Sequence, residues 1–349
     1  ARDLGADVVG LGALTSAVTR GGRDVLERGI AVTSGNSLTT VMALEALYEG
    51  ARGMKIDLQK SRAAVVGAAG SIGRACTRLL VEEVEQITLL GSPRARVSSQ
   101  RRLRALGEEL LYESNRRRKL GHGRGLSAWL DRITEMLRCA DTESGPDLLG
   151  KLHQNEKISW DEYEQICLVL GLQPPLTIAV DVEEVLNSCD LIITASNSPD
   201  YIVYPHHLKP GAVVCDVAKP SDVAPEVLIE RDDVLVLEGG LVELPDQVNF
   251  GANFGFRDGV AFACLSETIM LAMEGDRRDH SIGSKLPLES MEYMRELAKR
   301  HGFKLAALKM GGREIDDDEI NAVYHSSLNK KFSRRIIEAA PSIKTQSNL

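Results

Sequence analysis

Residues 62–80 read R-A-A-V-V-G-A-A-G-S-I-G-R-A-C-T-R-L-L. An apolar run, three evenly spaced glycines and a helical pattern follow one another without a break, and few folds accept that order. Gly67, Gly70 and Gly73 stand as G-x-x-G-x-x-G between the strand and the helix. In such a turn the first glycine permits a tight reversal and the second lets backbone approach a pyrophosphate. The third lets helix and strand pack closely, with the phosphates on the helix N-terminus. Together with Ser71 and Ile72, which open the helix, these glycines are candidate dinucleotide-binding residues. A tight strand-to-helix turn without a ligand is the plainer reading of the same residues.

The rest of the chain repeats the rhythm. Q-I-T-L-L at 86–90 reads as the next strand. It is followed later by V-L-N-S-C-D-L-I-I-T-A-S, A-V-V-C-D-V-A and V-L-V-L-E-G-G. Short β-branched runs alternating with helical patterns predict an α/β fold with a doubly wound parallel sheet. Upstream, residues 7–14 read as a short buried strand, and T-S-G-N-S-L-T-T opens a helix to about Gly50. The stretch from about 107 to 175 holds both tryptophans, Trp129 and Trp160, and reads as a helical insertion. The expected layout has three parts. Residues 1–55 belong to a smaller substrate and catalytic region, and 56–258 form a Rossmann-type NADP-binding domain with the insertion. Residues 259–349 supply C-terminal helices completing the catalytic region, with the last twenty or so disordered.

The second strand ends L-L-G-S-P-R-A-R, with no acidic residue to take a ribose 2′-hydroxyl. Ser92, Arg94 and Arg96 lie where a 2′-phosphate would sit, and arginine suits phosphate in charge and fork geometry. The expected cofactor is therefore NADPH. Ala195 and Ser196 follow one later strand and Gly239 and Gly240 another, small residues that would leave room for ribose and nicotinamide. Tight loops are the alternative.

A net charge of −8 argues against nucleic acid as a partner, although arginines crowd residues 94–124. No run approaches the roughly 18 apolar residues of a membrane span, and no signal peptide is visible. Cys76, Cys139, Cys167, Cys189, Cys215 and Cys264 show no C-x-x-C pair. That spacing argues against a metal site or a disulfide framework and fits a cytoplasmic protein.

G-V-A-F-A-C-L-S-E-T-I-M-L-A-M-E-G, residues 259–275, reads as a helix carrying Cys264. Read alone, that thiol is as well suited to packing as to chemistry. Upstream, Thr33, Ser34 and Asn36 offer hydroxyl and amide donors at a helix N-terminus, and Ser16 is a weaker candidate of the same kind. Such donors hold a carbonyl or its oxyanion, or simply cap the helix. L-G-A-L-T-S-A-V, T-S-G-N-S-L-T-T, V-V-G-A-A-G-S-I-G, I-T-L-L-G-S-P-R-A-R, D-L-I-I-T-A-S, V-L-E-G-G-L-V-E and A-F-A-C-L-S-E-T-I-M-L-A-M-E-G occur in that order. Over about residues 4–308, the insertion excepted, this set resembles the cyanobacterial long-chain acyl-[acyl-carrier-protein] reductases that form fatty aldehydes.

The resemblance implies an enzyme of lipid metabolism, an NADPH-dependent oxidoreductase converting a fatty acyl thioester to an aldehyde. It also implies that a cysteine, Cys264 here, first takes the acyl group from acyl carrier protein or acyl-CoA. With Asp258 as cap, Cys264 would sit in the second turn of its helix, beyond most of the dipole effect. His206 and His207 are candidate activators, each read more simply as a surface histidine. The basic insertion suggests docking of an acidic carrier protein, or else a solvated face. The family carries a further N-terminal region and this chain starts without Met, so a piece of a larger chain is expected, with a homo-oligomer as one option. Two alternatives stay open. A dehydrogenase of the shikimate or methylene-tetrahydrofolate type needs a lysine near the first helix, and none precedes Lys55. A non-catalytic NADP-binding module of a multidomain protein needs no acyl-enzyme.

Overall fold

The computed structural model describes residues 1–12, 14–121, 123–139, 145–251 and 255–339. The chain opens with β1 (Val8–Gly10), α1 (Leu14–Val18) and β2 (Ala31–Thr33), and β1 and β2 pair in parallel. α2 (Asn36–Gly53) follows and is buried along most of its length, from Ser37 to Ala51. A helix apolar on all sides belongs inside a molecule, and α2 sits between the sheet and the helices that close the chain.

β3 (Arg62–Val66), α3 (Ser71–Leu80) and β4 (Gln86–Leu90) realise the strand, turn and helix read at 62–90. Between β4 and the next strand run α4 (Arg96–Lys119), α5 (Gly125–Cys139), α6 (Gly145–Gln154) and α7 (Trp160–Val169). Then come β5 (Leu176–Ala179), β6 (Leu191–Thr194), β7 (Val213–Asp216), α8 (Glu226–Glu230) and β8 (Leu235–Glu238). These six strands form one wholly parallel sheet in the order β5-β4-β3-β6-β7-β8. That is the doubly wound Rossmann order, and its direction reverses between β3 and β6.

The period of two predicted for strands buried on both faces is visible in the packing. Ala63, Val65, Leu89, Ile193, Cys215 and Leu237 face the main core, which they share with α2 and the four helices after β4. Ala64, Val66, Leu90, Ile192, Val214 and Val236 face a second core on the other side.

β9 (Leu241–Glu243) and β10 (Val260–Phe262) pair antiparallel and lead into α9 (Ala263–Glu274). α10 (Leu288–His301), β11 (Lys304–Leu305), β12 (Lys309–Met310), β13 (Arg313–Glu314) and α11 (Asp317–Ala339) complete the fold. A third core joins α2, α9 and α10, through Leu38, Val41, Met42, Met270, Leu271 and Met294 among others. α11 runs into the tail read from sequence as disordered, and residues 340–349 lie outside the described residues. No described helix is long and apolar enough to cross a membrane.

Candidate active site

The glycine turn is built as its spacing requires. Gly67 has φ +76°, and a Cβ there would lie 2.7 Å from the carbonyl oxygen of Ala195 at the end of β6. A Cβ on Gly70 would stand 3.1 Å from the Gly67 carbonyl, and one on Gly73 would collide with it. Gly70 caps α3, with Ser71 as the first helical residue and Ile72 packed against the main core. The turn thus sits at the point where the strand order reverses, with a helix N-terminus above it, and its shape is one that any side chain would fill. That geometry fits a pyrophosphate.

The helix carrying Cys264 begins later than the sequence suggested. Gly259 has φ +79°, and Val260 to Phe262 continue as β10 instead of helix. Phe262, not Asp258, occupies the N-cap position of α9, and Asp258 instead accepts a hydrogen bond from Asn249 at 3.2 Å. Cys264 is therefore the second helical residue and lies in the first turn, where the helix dipole is strongest. Its thiol is half-buried. A Cβ on Gly12 would lie 3.8 Å from its Sγ, and one on Gly35 (φ +71°) would collide with its Cα and Cβ. Gly35 is also the N-cap of α2. Two helix N-termini thus meet at Cys264, in a seam where the bare Gly35 lets the two backbones come close.

Beneath the seam lies a carboxyl that pattern reading overlooked. Glu267, one turn beyond Cys264 on α9, is fully buried. Its Oε1 accepts from Thr33 Oγ1 at 2.5 Å and Ser281 Oγ at 2.6 Å, and its Oε2 from the Leu38 backbone N–H at 2.8 Å. Burial pushes this carboxyl up from its ordinary range, while the donors from Ser281, Thr33 and Leu38 pull the other way. Ser34 Oγ donates to the Ser281 carbonyl at 2.5 Å, and the Ser37 N–H donates to Ser281 Oγ at 3.2 Å. The hydroxyls of Thr33 and Ser34, read from sequence as candidate acyl-carbonyl donors, are thus buried and spent on holding β2, α2, α9 and the 281 loop together. Asn36 is placed differently. Its Nδ2 donates to Ser71 Oγ at 3.1 Å, and Ser71 in turn donates to the Gly283 carbonyl at 2.9 Å. One amide therefore bridges the α2 N-terminus and the glycine turn. Ser16 lies in α1, 9% exposed, and its carbonyl takes the Gly21 N–H at 2.7 Å.

At the end of β4, Ser92, Arg94 and Arg96 are exposed around a short helical turn. Arg94 pairs with Asp200, on the loop after β6. The Ala195 N–H donates to the Val66 carbonyl at 3.0 Å. Ser196 donates to the buried Asp222 through its N–H at 3.0 Å and its hydroxyl at 2.5 Å. Burial pushes the Asp222 carboxyl up to about 6, with the Ser196 donors working against it. Gly239 and Gly240 are closely packed: a Cβ on Gly239 would lie 2.7 Å from Cys215 Sγ. One on Gly240 (φ +74°) would lie 3.2 Å from Thr39 Cγ2. The Gly240 carbonyl accepts from the first helical N–H of α9, Ala263, at 2.8 Å.

His206 and His207 face Glu183, their Nε2 atoms 4.0 and 3.8 Å from its Oε1. This trio is a cluster of metal-ligand type that cysteine spacing could not reveal. His207 Nδ1 accepts the Tyr204 N–H at 3.1 Å, so in the neutral ring Nε2 carries the proton and faces the carboxylate as a donor. That tautomer is the wrong one for metal at Nε2. Several arginines of the basic stretch after β4 pair with nearby acids: Arg104 with Asp161, Arg117 with Glu82, Arg118 with Asp131 and Arg124 with Glu83.

No family model matches the chain. It is 28% identical over 320 residues to aminotransferase PigE of Serratia sp., covering 90% of this chain and 30% of that protein. It is 30% identical over 133 residues to long-chain acyl-[acyl-carrier-protein] reductase of Synechococcus elongatus, covering 36% of this chain and 38% of that protein. The chain thus spans about a third of the length of either relative. Among solved structures, the Δ1-pyrroline-2-carboxylate reductase of Thermococcus litoralis, in complex with NADH and L-proline, matches with a TM-score of 0.28 and 10% identity, over 88% of this chain and 70% of that one. The iminosuccinate reductase of Paracoccus denitrificans, in complex with NAD+, matches with a TM-score of 0.26 and 12% identity, over 77% and 66%. Likeness at that level is too loose to carry an argument.

Proposed function

We propose that this chain is an NADPH-dependent oxidoreductase that converts an acyl thioester to an aldehyde through an acyl group carried on Cys264. The observation that carries the reading is the place of that thiol. It stands half-exposed in the first turn of α9, against the N-terminus of α2, and Asn36 links that N-terminus to the glycine turn. Cys76, Cys167, Cys189 and Cys215 are buried, and burial pushes the thiols of all four up. The partial match to the Synechococcus reductase is consistent with the reading. The longer match to PigE concerns under a third of that protein, whose name belongs to a much longer polypeptide.

In this reading Gly67, Gly70, Ser71 and Gly73 hold the pyrophosphate of NADPH, and Arg94 and Arg96 face its 2′-phosphate. Arg94 exchanges Asp200 for that phosphate. When bound, the cofactor supplies a hydride to the acyl carbon. The residues of the chain do the rest. The Cys264 sulfur attacks the thioester carbonyl, a bond to carbon forms, and the donor leaves as its thiol with the proton that Cys264 gave up; once the acyl carbon is reduced, the hemithioacetal oxyanion would expel the Cys264 sulfur as thiolate, breaking that bond and releasing the aldehyde. Asn36 and the amides at the two helix N-termini orient the carbonyl and take up developing charge on its oxygen. Thr33, Ser34 and Glu267 fix the seam from below. The acyl donor is a carrier protein or coenzyme A.

The reading is tested by turnover. The purified protein, given NADPH and a long-chain acyl thioester, is expected to oxidise the cofactor and release the matching aldehyde. Cys264→Ser is expected to abolish both while leaving cofactor binding intact. Aldehyde formation at the wild-type rate by Cys264→Ser would overturn it.

A further inference from the structure

We propose that Arg101 is a further residue selecting NADPH over NADH, reaching back along α4 to the 2′-phosphate in a basic cavity after β4. The assignment rests on the reading of the glycine turn as an NADPH site. The carbonyl of Leu90, the last residue of β4, accepts the N–H groups of Gly67 and Ala68 at 2.9 and 3.2 Å, so the turn lies against that strand end. Gly91 comes next. A Cβ there would stand 2.9 Å from Ser99 Cβ, so the bare residue lets the first turn of α4 pack over the end of the strand. The segment that follows frames a cavity of about 530 Å³, lined by Arg94, Arg96 and Arg101 with Pro93, Val97 and Ser98. Residues 97 and 101 are four apart and share one face of α4. Helical side chains lean towards the N-terminus of their helix, so the Arg101 stem runs from the second turn back to the cavity at the helix start.

No acid lines this cavity. Arg94 has one partner, the exposed Asp200, whereas Arg96 and Arg101 have no ion-pair partner among the described residues. The first turn of α4 holds no acidic residue, and no side chain caps it at Ala95. Ser98 spends its hydroxyl on the Ala95 carbonyl at 3.1 Å. Three guanidinium groups and the positive end of a 24-residue helix therefore share one concavity. Like charges so gathered repel one another, and Asp200 is the one carboxylate paired with them among the described residues. A phosphate monoester offsets them, with close to two negative charges at neutral pH and oxygens suited to forked donors. Arg94 approaches it from the turn before α4, and Arg101 from the second turn of the helix. NADH lacks that group and gives Arg101 nothing to hold, so the residue acts on the choice of cofactor. Its neighbour Arg102 is also exposed and unpaired among the described residues, but does not line the cavity.

The test needs no acyl donor and no turnover, so it stands or falls apart from the reductase chemistry. Binding of NADPH and of NADH to the purified protein is followed by the fluorescence of the reduced nicotinamide. The wild type is expected to prefer NADPH. Arg101→Gln should weaken NADPH about tenfold, the scale of one charge-assisted hydrogen bond, and leave NADH nearly unchanged. Arg102→Gln removes the same charge away from the cavity, where salt screens it, and should leave both nearly unchanged. 2′-AMP, a probe of the phosphate on its own nucleoside, should compete with NADPH for the wild type and about tenfold less well for Arg101→Gln. A wild type that prefers NADPH, with the same preference kept in Arg101→Gln, overturns the proposal and leaves the cofactor reading standing. A wild type that binds the two cofactors equally overturns both. A loss in Arg102→Gln as large as that in Arg101→Gln also overturns the proposal, because distant charge rather than contact would then set the choice.

Discussion

Cys264 sits where it does because Gly35, held at φ +71°, has no side chain to collide with its Cα and Cβ, while Gly12 stands beside its Sγ. The carboxyl below is the opposite kind of residue, fully enclosed and satisfied by three donors. Removing it by Glu267→Ala leaves the Thr33 hydroxyl and the Leu38 N–H without that acceptor, while Ser281 Oγ keeps Ser37 Oγ at 2.7 Å. The expected loss is about 3 kcal/mol of unfolding free energy, since each orphaned buried donor costs about 1–3 kcal/mol; chemical denaturation measures it. Asp222 makes a pH prediction. Its carboxyl is pushed up from the ordinary 3.8 to about 6, so the folded protein holds that proton more tightly than the unfolded chain. This group therefore supports the fold at low pH, and that support is lost as pH rises from 3.8 to about 6. The difference in stability between Asp222→Asn and wild type should shift in favour of the variant across that window, by up to about 3 kcal/mol. A difference that stays flat with pH would contradict the assignment.

At the scale of elements, what decides the chemistry is a boundary. Periodicity identified a helix around 259–275, but could not see that Gly259 takes a positive φ and that Val260 to Phe262 join a strand pair. Two of those three residues, Val260 and Phe262, are β-formers, and their pairing partner, β9, is known only in three dimensions. Moving the helix start to Ala263 carries Cys264 from the second turn to the first. The strands of the main sheet were legible for the opposite reason: burial on both faces leaves short β-branched runs that need no partner to be recognised. The glycine turn was equally legible, because its three glycines answer to backbone atoms within the same turn and to β6. Gly73→Ala should push α3 off the turn and weaken NADPH binding by about tenfold, the scale of an overpacked contact; cofactor titration checks it. Binding unchanged in that variant would mean the turn is structural only.

Across the whole molecule, the long-range links are the ones the sequence hid. Thr33 and Glu267 are 234 residues apart, Leu38 and Glu267 are 229 apart, and Arg94 meets Asp200 across 106 residues. No local pattern carries such information, so Glu267 and Asp200 could not be found before the fold was known. The Arg94 to Asp200 pair ties the segment after β4 to the loop after β6. If Arg94 turns to a 2′-phosphate, Arg94→Ala should weaken NADPH by about tenfold, the value of a charge-assisted hydrogen bond, and leave NADH nearly unchanged; equal losses for both would contradict it. The central claim is that the two helix N-termini and the glycine turn come together so that Cys264 can accept an acyl group within reach of a bound cofactor. The most direct measurement is the mass of the protein after incubation with a long-chain acyl thioester in the absence of NADPH. The expected result is one acyl adduct, located on Cys264, missing in Cys264→Ser and discharged on adding NADPH. A folded, NADPH-binding protein that forms no adduct, or forms it on another residue, would contradict the claim.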